Sequence, residues 1–110
     1  MYKTLDLPTY SDRRGILSVT EIKKQVPFQI KRVFYLTNVP SRISRGFHAH
    51  RQTNLALICA TGELIITLND CKTDTKIKLK PNQMIIIPAR VWHSMSNFAK
   101  NTVIICLASQ

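Results

Sequence analysis

The chain has 110 residues and a mass of 12.6 kDa, and 16 Lys and Arg against 6 Asp and Glu give it a formal charge of +10 and a pI near 10.0. That length fits one compact domain over residues 1–110, and 45% hydrophobic with 20% charged residues excludes a disordered chain. The longest apolar stretches, 55–60 and 103–108, are too short to cross a bilayer, and Met1-Tyr2-Lys3-Thr4-Leu5-Asp6 lacks the apolar core of a secretory signal, so a soluble cytoplasmic protein without a membrane partner is expected.

Short runs rich in Ile, Val, Leu and Thr succeed one another at 15–19, 30–36, 55–60, 64–68, 76–79, 84–87 and 102–107. Turn chemistry separates them at Asp12-Arg13-Arg14-Gly15, Asn38-Val39-Pro40-Ser41, Thr61-Gly62, Asn69-Asp70 and Pro81-Asn82. Segment 18–25 has room for one or two helical turns at most, and no window of a dozen residues keeps a helical period. Many short strands at spacings near ten residues predict an all-β sandwich or barrel with little or no helix. Lys76, Lys78 and Lys80 alternate with Ile77 and Leu79, which places three lysines on the wet face of a protected edge strand.

A pI near 10.0 also marks nucleic-acid binders. Here no aromatic series interleaves with the bases, and neither helix-turn-helix nor zinc-finger spacing occurs, so no nucleic-acid partner is expected. Cys59, Cys71 and Cys106 are odd in number and form no CxxC pair, which indicates neither a disulfide framework nor a zinc knuckle. Acids are absent between Glu21 and Glu63 and after Asp74. A cavity built from those segments is positive and suits an anionic ligand such as a diphosphate.

The histidines are His48, His50 and His93. In an extended Arg45-Gly46-Phe47-His48-Ala49-His50-Arg51 the first two point to one side. His93 follows Pro88 and Trp92 at the start of a further strand, with Asn97 four residues on. These spacings resemble the two motifs of the cupin superfamily, His-x-His before a glycine (Gly62) and a proline turn before His with a later Asn. Metal-binding cupins usually supply a carboxylate four or five residues after His-x-His, where this chain has Asn54 and Leu55. Three imidazoles can still hold zinc. With Arg45 and Arg51 flanking the pair, a metal-free site with histidine as general acid or base is the expectation.

The sequence further resembles one cupin branch, the WxcM-like sugar 3,4-ketoisomerases acting on thymidine-diphosphate sugars. The matching stretches are Asp12-Arg13-Arg14-Gly15, Pro27-Phe28-Gln29-Ile30-Lys31-Arg32-Val33-Phe34-Tyr35, Arg45-Gly46-Phe47-His48-Ala49-His50, Leu57-Ile58-Cys59-Ala60-Thr61-Gly62, Pro88-Ala89-Arg90-Val91-Trp92-His93-Ser94-Met95 and Leu107-Ala108-Ser109. The resemblance implies a cupin-type jelly roll, a homodimer, no metal or other cofactor, and conversion of dTDP-4-keto-6-deoxyglucose to a 3-keto sugar for bacterial surface glycans. It implies that His48, His50 and Tyr35 line the sugar pocket. The role of principal base is assigned to His50, with His48 as the partner that shuttles or orients protons and Tyr35 bonding the sugar oxygens, and which of the two imidazoles is the base stays open. Arg45 and Arg14 resemble the family's arginines near the sugar and nucleotide, and His93 and Asn97 complete the expected substrate-binding set.

Departures accompany the match. Leu55 stands where a glutamine is common, Ser94 where an acid is frequent and Cys71 where glycine is usual; the chain ends at Gln110, where relatives continue with an acidic, aromatic tail that could supply an active-site rim or dimer contact. Two other readings compete: a metal-binding cupin enzyme using His48, His50 and His93, and a non-catalytic nucleotide-sugar-binding module.

Overall fold

The computed structural model describes residues 2–110, with His48 described by its backbone alone. Its strands are β1 (Thr4–Asp6), β2 (Thr9–Asp12), β3 (Gly15–Ser18), β4 (Arg32–Leu36), β5 (Arg45–His48), β6 (Leu55–Thr61), β7 (Leu64–Asn69), β8 (Asp74–Leu79), β9 (Gln83–Ile87), β10 (Trp92–Ser96) and β11 (Val103–Ala108). No helix occurs among the described residues, so none is long and apolar enough to cross a membrane. In segment 18–25, Ser18 ends β3 and residues 21–25 make a single tight turn, Gln25 N donating to Glu21 O at 3.1 Å. Lys23 N donates to Val26 O at 2.9 Å, and Val26 is fully buried.

Every strand pair is antiparallel, in a five-stranded sheet β1-β9-β6-β11-β4, a four-stranded sheet β5-β10-β7-β8 and a hairpin β2-β3. The two larger sheets face each other in the jelly-roll manner expected from the sequence, and their inner faces supply one apolar core. Leu55, Leu57 and Cys59 of β6 alternate inward against Leu64, Ile66 and Leu68 of β7, with Ile104 and Cys106 of β11 beside them. β8 closes the smaller sheet as an edge, with Lys76 and Lys78 exposed and Leu79 buried, as the alternation predicts.

β6 is buried on both faces, because Ala56 and Ile58 turn outward into a second cluster with Leu7, Val26, Met84 and Leu107. The segment before β4 thus roofs part of the larger sheet. The roof stops short of the β4 edge, where Val33 and Tyr35 are exposed. Gly62 closes the β6–β7 turn at φ +81, where a Cβ would overlap Thr102, so only glycine fits there.

Candidate active site

At one end of the space between the sheets lies a cavity of about 200 Å³ that holds His50 and His93. Strand register explains its walls. Ala108 pairs with both Arg32 and Leu55, and Cys106 pairs with both Phe34 and Leu57. The larger sheet therefore presents a rim of Arg32 and Leu55, joined through Ala108, above a floor of Phe34, Cys106 and Leu57. Arg45 and Gly46 of β5 and His93 and Met95 of β10 line the opposite side.

Several backbone devices bring the imidazoles together. Gly46 sits at φ +95, and a Cβ there would stand 3.0 Å from His93 O and 3.2 Å from Ser94 Cα. Its missing side chain lets β5 lie tight on β10, at a bulge between His93 and Ser94. His48 pairs with His93 through the backbone, and Phe47 takes φ 62, a conformation that L side chains rarely adopt. Downstream, Arg90 N donates to His50 O at 2.6 Å, tying the His50 loop to the turn that launches β10. Asn54 braces that turn, since its Oδ1 accepts from Ala89 N at 2.9 Å while its N donates to Ser109 Oγ at 2.9 Å. Asn54, one of the two positions at which the sequence lacks a carboxylate, thus props up the histidine loop.

The outcome is a pair of near-parallel rings, His50 and His93, with centroids 5.9 Å apart and planes inclined by 27°. His93 is 2% exposed, and its Nδ1 lies 3.4 Å from Val91 O. The charged side chains on the described cavity wall are Arg32 and Arg45. Arg32 is held over Phe34, its guanidinium carbon 5.1 Å from the ring centroid. Burial pushes the Cys106 thiol up to about 12, with Arg45 pulling the other way, so the sulfur stays protonated near neutrality. Together these groups can hold an anion and exchange protons with it.

Of the residues expected from sequence, His50, His93 and Arg45 meet at this cavity. The side chain of His48 lies outside the described residues. Tyr35 does not line the cavity; the pleat that turns Phe34 and Leu36 inward turns Tyr35 outward, where it is 69% exposed. Arg14 is also elsewhere, in the β2–β3 turn beside a separate surface depression of about 340 Å³. There its Nη2 donates to Asp12 Oδ2 at 2.6 Å, and this bond holds the Asp12 carboxyl below the usual carboxylate range. Asn97 occupies the turn after β10 at φ 54, a conformation that asparagine tolerates, and is not on the cavity wall. Arg32 and Asn54 were not foreseen. Arg32 shares the side of Phe34 and Leu36 by its two-residue spacing, but the sequence alone does not show that this side turns inward.

No group of three or more His, Cys, Asp or Glu side chains able to hold a metal occurs among the described residues, and the trio His48, His50 and His93 includes one side chain outside them. Two guanidiniums on the wall disfavour a cation.

The family model described as FdtA: WxcM-like, C-terminal matches residues 1–110. A TDP-4-oxo-6-deoxy-alpha-D-glucose-3,4-oxoisomerase from Aneurinibacillus thermoaerophilus is 34% identical over 108 residues, covering 97% of this chain and 78% of the relative. The WlaRB TDP-quinovose 3,4-ketoisomerase from Campylobacter jejuni superposes with a TM-score of 0.92 at 38% identity, over 99% of this chain and 85% of that one. A histidine-to-asparagine mutant of the 3,4-ketoisomerase QdtA from Thermoanaerobacterium thermosaccharolyticum, in complex with TDP-4-keto-6-deoxyglucose, gives 0.92 at 33% identity over 99% and 80%. At 13% identity, the RmlC 3,5-epimerase from Legionella pneumophila shares the fold with a TM-score of 0.83, over 99% of this chain and 66% of that one.

Proposed function

The chain belongs to the WxcM-like, C-terminal family, and from that premise we propose that it is an isomerase converting dTDP-4-keto-6-deoxyglucose to the 3-keto sugar by imidazole acid–base chemistry. The observation that carries this reading is the pair of imidazoles in a hollow whose charged wall is cationic. His50 removes the hydrogen at carbon three, which the neighbouring carbonyl acidifies, and a proton returned to carbon four completes the carbonyl shift. His48 keeps the role of partner that orients or passes that proton. Arg45 stabilises the negative charge that develops on the enediolate oxygens, and Arg32 holds the diphosphate at the rim. Each step is a proton transfer, so the reaction needs no electron carrier. Arg14, Tyr35 and Asn97 take no part within this protomer.

We also propose a cytoplasmic homodimer. Val33 is 61% and Tyr35 69% exposed on the uncovered edge of the larger sheet, and Ile16 and Leu17 of the β2–β3 hairpin are 64% and 63% exposed. A second copy laid over this apolar face removes it from water.

The decisive experiment is His50→Ala, assayed by NMR with the 4-keto sugar nucleotide and by calorimetry with thymidine diphosphate. Turnover falls by about 100-fold or more, the range of a lost general base, while thymidine diphosphate still binds. Unchanged turnover rejects His50 as base. Nucleotide binding by the parent protein without turnover would mark a binding module, and activity abolished by chelators and restored by a divalent ion would mark a metalloenzyme.

A further inference from the structure

Residues 88–91, between β9 and β10, form a turn that meets both His50 and His93. Arg90 N donates to His50 O at 2.6 Å, and one residue on Val91 O lies 3.4 Å from His93 Nδ1. Packing holds little of this turn, because Pro88 and Arg90 are exposed. Arg90 also takes φ 71, a conformation that L side chains rarely adopt. A backbone of that kind keeps its shape only where its surroundings fix it. A side-chain bond reaches the turn from Asn54, whose Oδ1 accepts from Ala89 N at 2.9 Å.

We propose that Asn54 is a positioning residue: its carboxamide oxygen fixes the turn that spaces the His50 and His93 rings, and through that turn it sets the catalytic rate.

The proposal rests on the ketoisomerase reading of this site, and three observations support it. First, Asn54 is itself anchored. Its N donates to Ser109 Oγ at 2.9 Å and its O accepts from Ser109 N at 3.1 Å, which ties the residue before β6 to the residue after β11. Both strands lie inside the larger sheet, so the carboxamide transmits the position of that sheet to the turn. Second, Asn54 acts through other residues, because it is absent from the described cavity wall while its neighbour Leu55 stands on it. Third, the amide donors of the turn are each matched: Ala89 to Asn54, Arg90 to His50, and Val91 to Pro88 O at 3.4 Å. Removing the Asn54 oxygen leaves Ala89 N without its acceptor, and the turn shifts to find another. The two rings, with centroids 5.9 Å apart, shift with it.

The test compares two replacements of nearly the same shape. Asn54→Leu offers Ala89 N no acceptor, whereas Asn54→Asp still offers one. A chelator is present throughout, because Asn54 is one of the two positions where metal-binding cupins carry a carboxylate. In Asn54→Leu kcat falls about 10–100-fold, the cost of misplaced reacting groups, while KM and thymidine diphosphate affinity stay within about threefold of the parent. Asn54→Asp keeps kcat within about threefold, and any loss caused by its charge falls on KM, since the substrate is an anion. Parental kcat in Asn54→Leu overturns the proposal. So does a kcat in Asn54→Asp as low as in Asn54→Leu, and so does a loss of nucleotide affinity in Asn54→Leu that matches the fall in kcat, which marks general damage to the site. Should Asn54→Leu not fold, Asn54→Ser takes its place under the same outcomes, its side chain being too short for Ala89 N. A parent protein that does not turn over the 4-keto sugar nucleotide refutes the ketoisomerase reading itself.

Discussion

The β7–β8 hairpin and the β5–β10 junction share one sheet but are built on opposite principles. Along β7 and β8 the register is unbroken, Leu64 opposite Leu79 through Asn69 opposite Asp74, and side chains alternate between core and solvent. The β5–β10 junction is irregular. It carries a register shift at His93 and Ser94, Gly46 at φ +95 and Phe47 at φ 62, and the turn before β10 adds Arg90 at φ 71. Regular pairing maximises burial and backbone bonding, whereas the irregular junction aims two imidazoles into one hollow. Cys71 also takes φ 77, but in the turn between β7 and β8, whereas Gly46 and Phe47 take positive φ within strand β5 itself. On the proposed function, the first region supports stability and the second supports chemistry.

The sharpest way to break that division is a large-to-small substitution in the regular region. Leu64→Ala removes a side chain that is 0% exposed at the end of β7 remote from the histidines. A buried leucine truncated to alanine costs about 2–5 kcal/mol. Chemical denaturation of the variant should show a loss in that range, with kcat and KM of the folded fraction near those of the parent. A large fall in kcat would mean that the two regions are coupled.

Gly46→Ala attacks the other side. The new Cβ meets His93 O at 3.0 Å and Ser94 Cα at 3.2 Å, on a backbone at φ +95. Stability falls by about 1–3 kcal/mol, the cost of a strained conformation. Activity suffers more, because relieving the contact separates β5 from β10 and shifts the imidazoles. A small misplacement of reacting groups can cost about 100-fold in rate. Steady-state kinetics alongside denaturation checks the ratio, and loss of stability without loss of kcat would contradict the assignment.

How far the site could be read in advance follows from the same contrast. Lys76, Lys78 and Lys80 were placed by alternation alone, because nothing non-local competes with it at a sheet edge. His50 and Arg45 come to the cavity from the motif that carries Gly46, whose role is local backbone geometry, and His93 comes from the segment after the Pro88 turn. The outward side of Tyr35 was not legible for a physical reason. In β4 both alternate sets are apolar, Val33 with Tyr35 and Phe34 with Leu36, so sequence does not show which faces inward. Only pairing with β11 and the facing sheet decides it. Asn54 was hidden because its acceptor role joins it to Ala89, 35 residues away. Arg14 looked like a ligand for anions, yet the carboxylate it meets is two residues back at Asp12.

The smallest expected effect belongs to Lys78→Ala on the wet face of β8. Lys78 Nζ lies 3.2 Å from Glu63 Oε2, with the two side chains 51% and 44% exposed. At that exposure water screens the attraction and ordering two long side chains offsets it, so the pair contributes about 0–1 kcal/mol. Denaturation midpoints at low and high salt should therefore differ little between parent and variant, and turnover should be unchanged. Edge lysines have a second consequence, because their charge opposes pairing with another sheet. The variant should self-associate more readily at high concentration, as light scattering would show, while its active site stays intact. Equal scattering from both proteins would leave edge protection to Lys76 and Lys80, and a loss of turnover would show that the regular region reaches the chemistry after all.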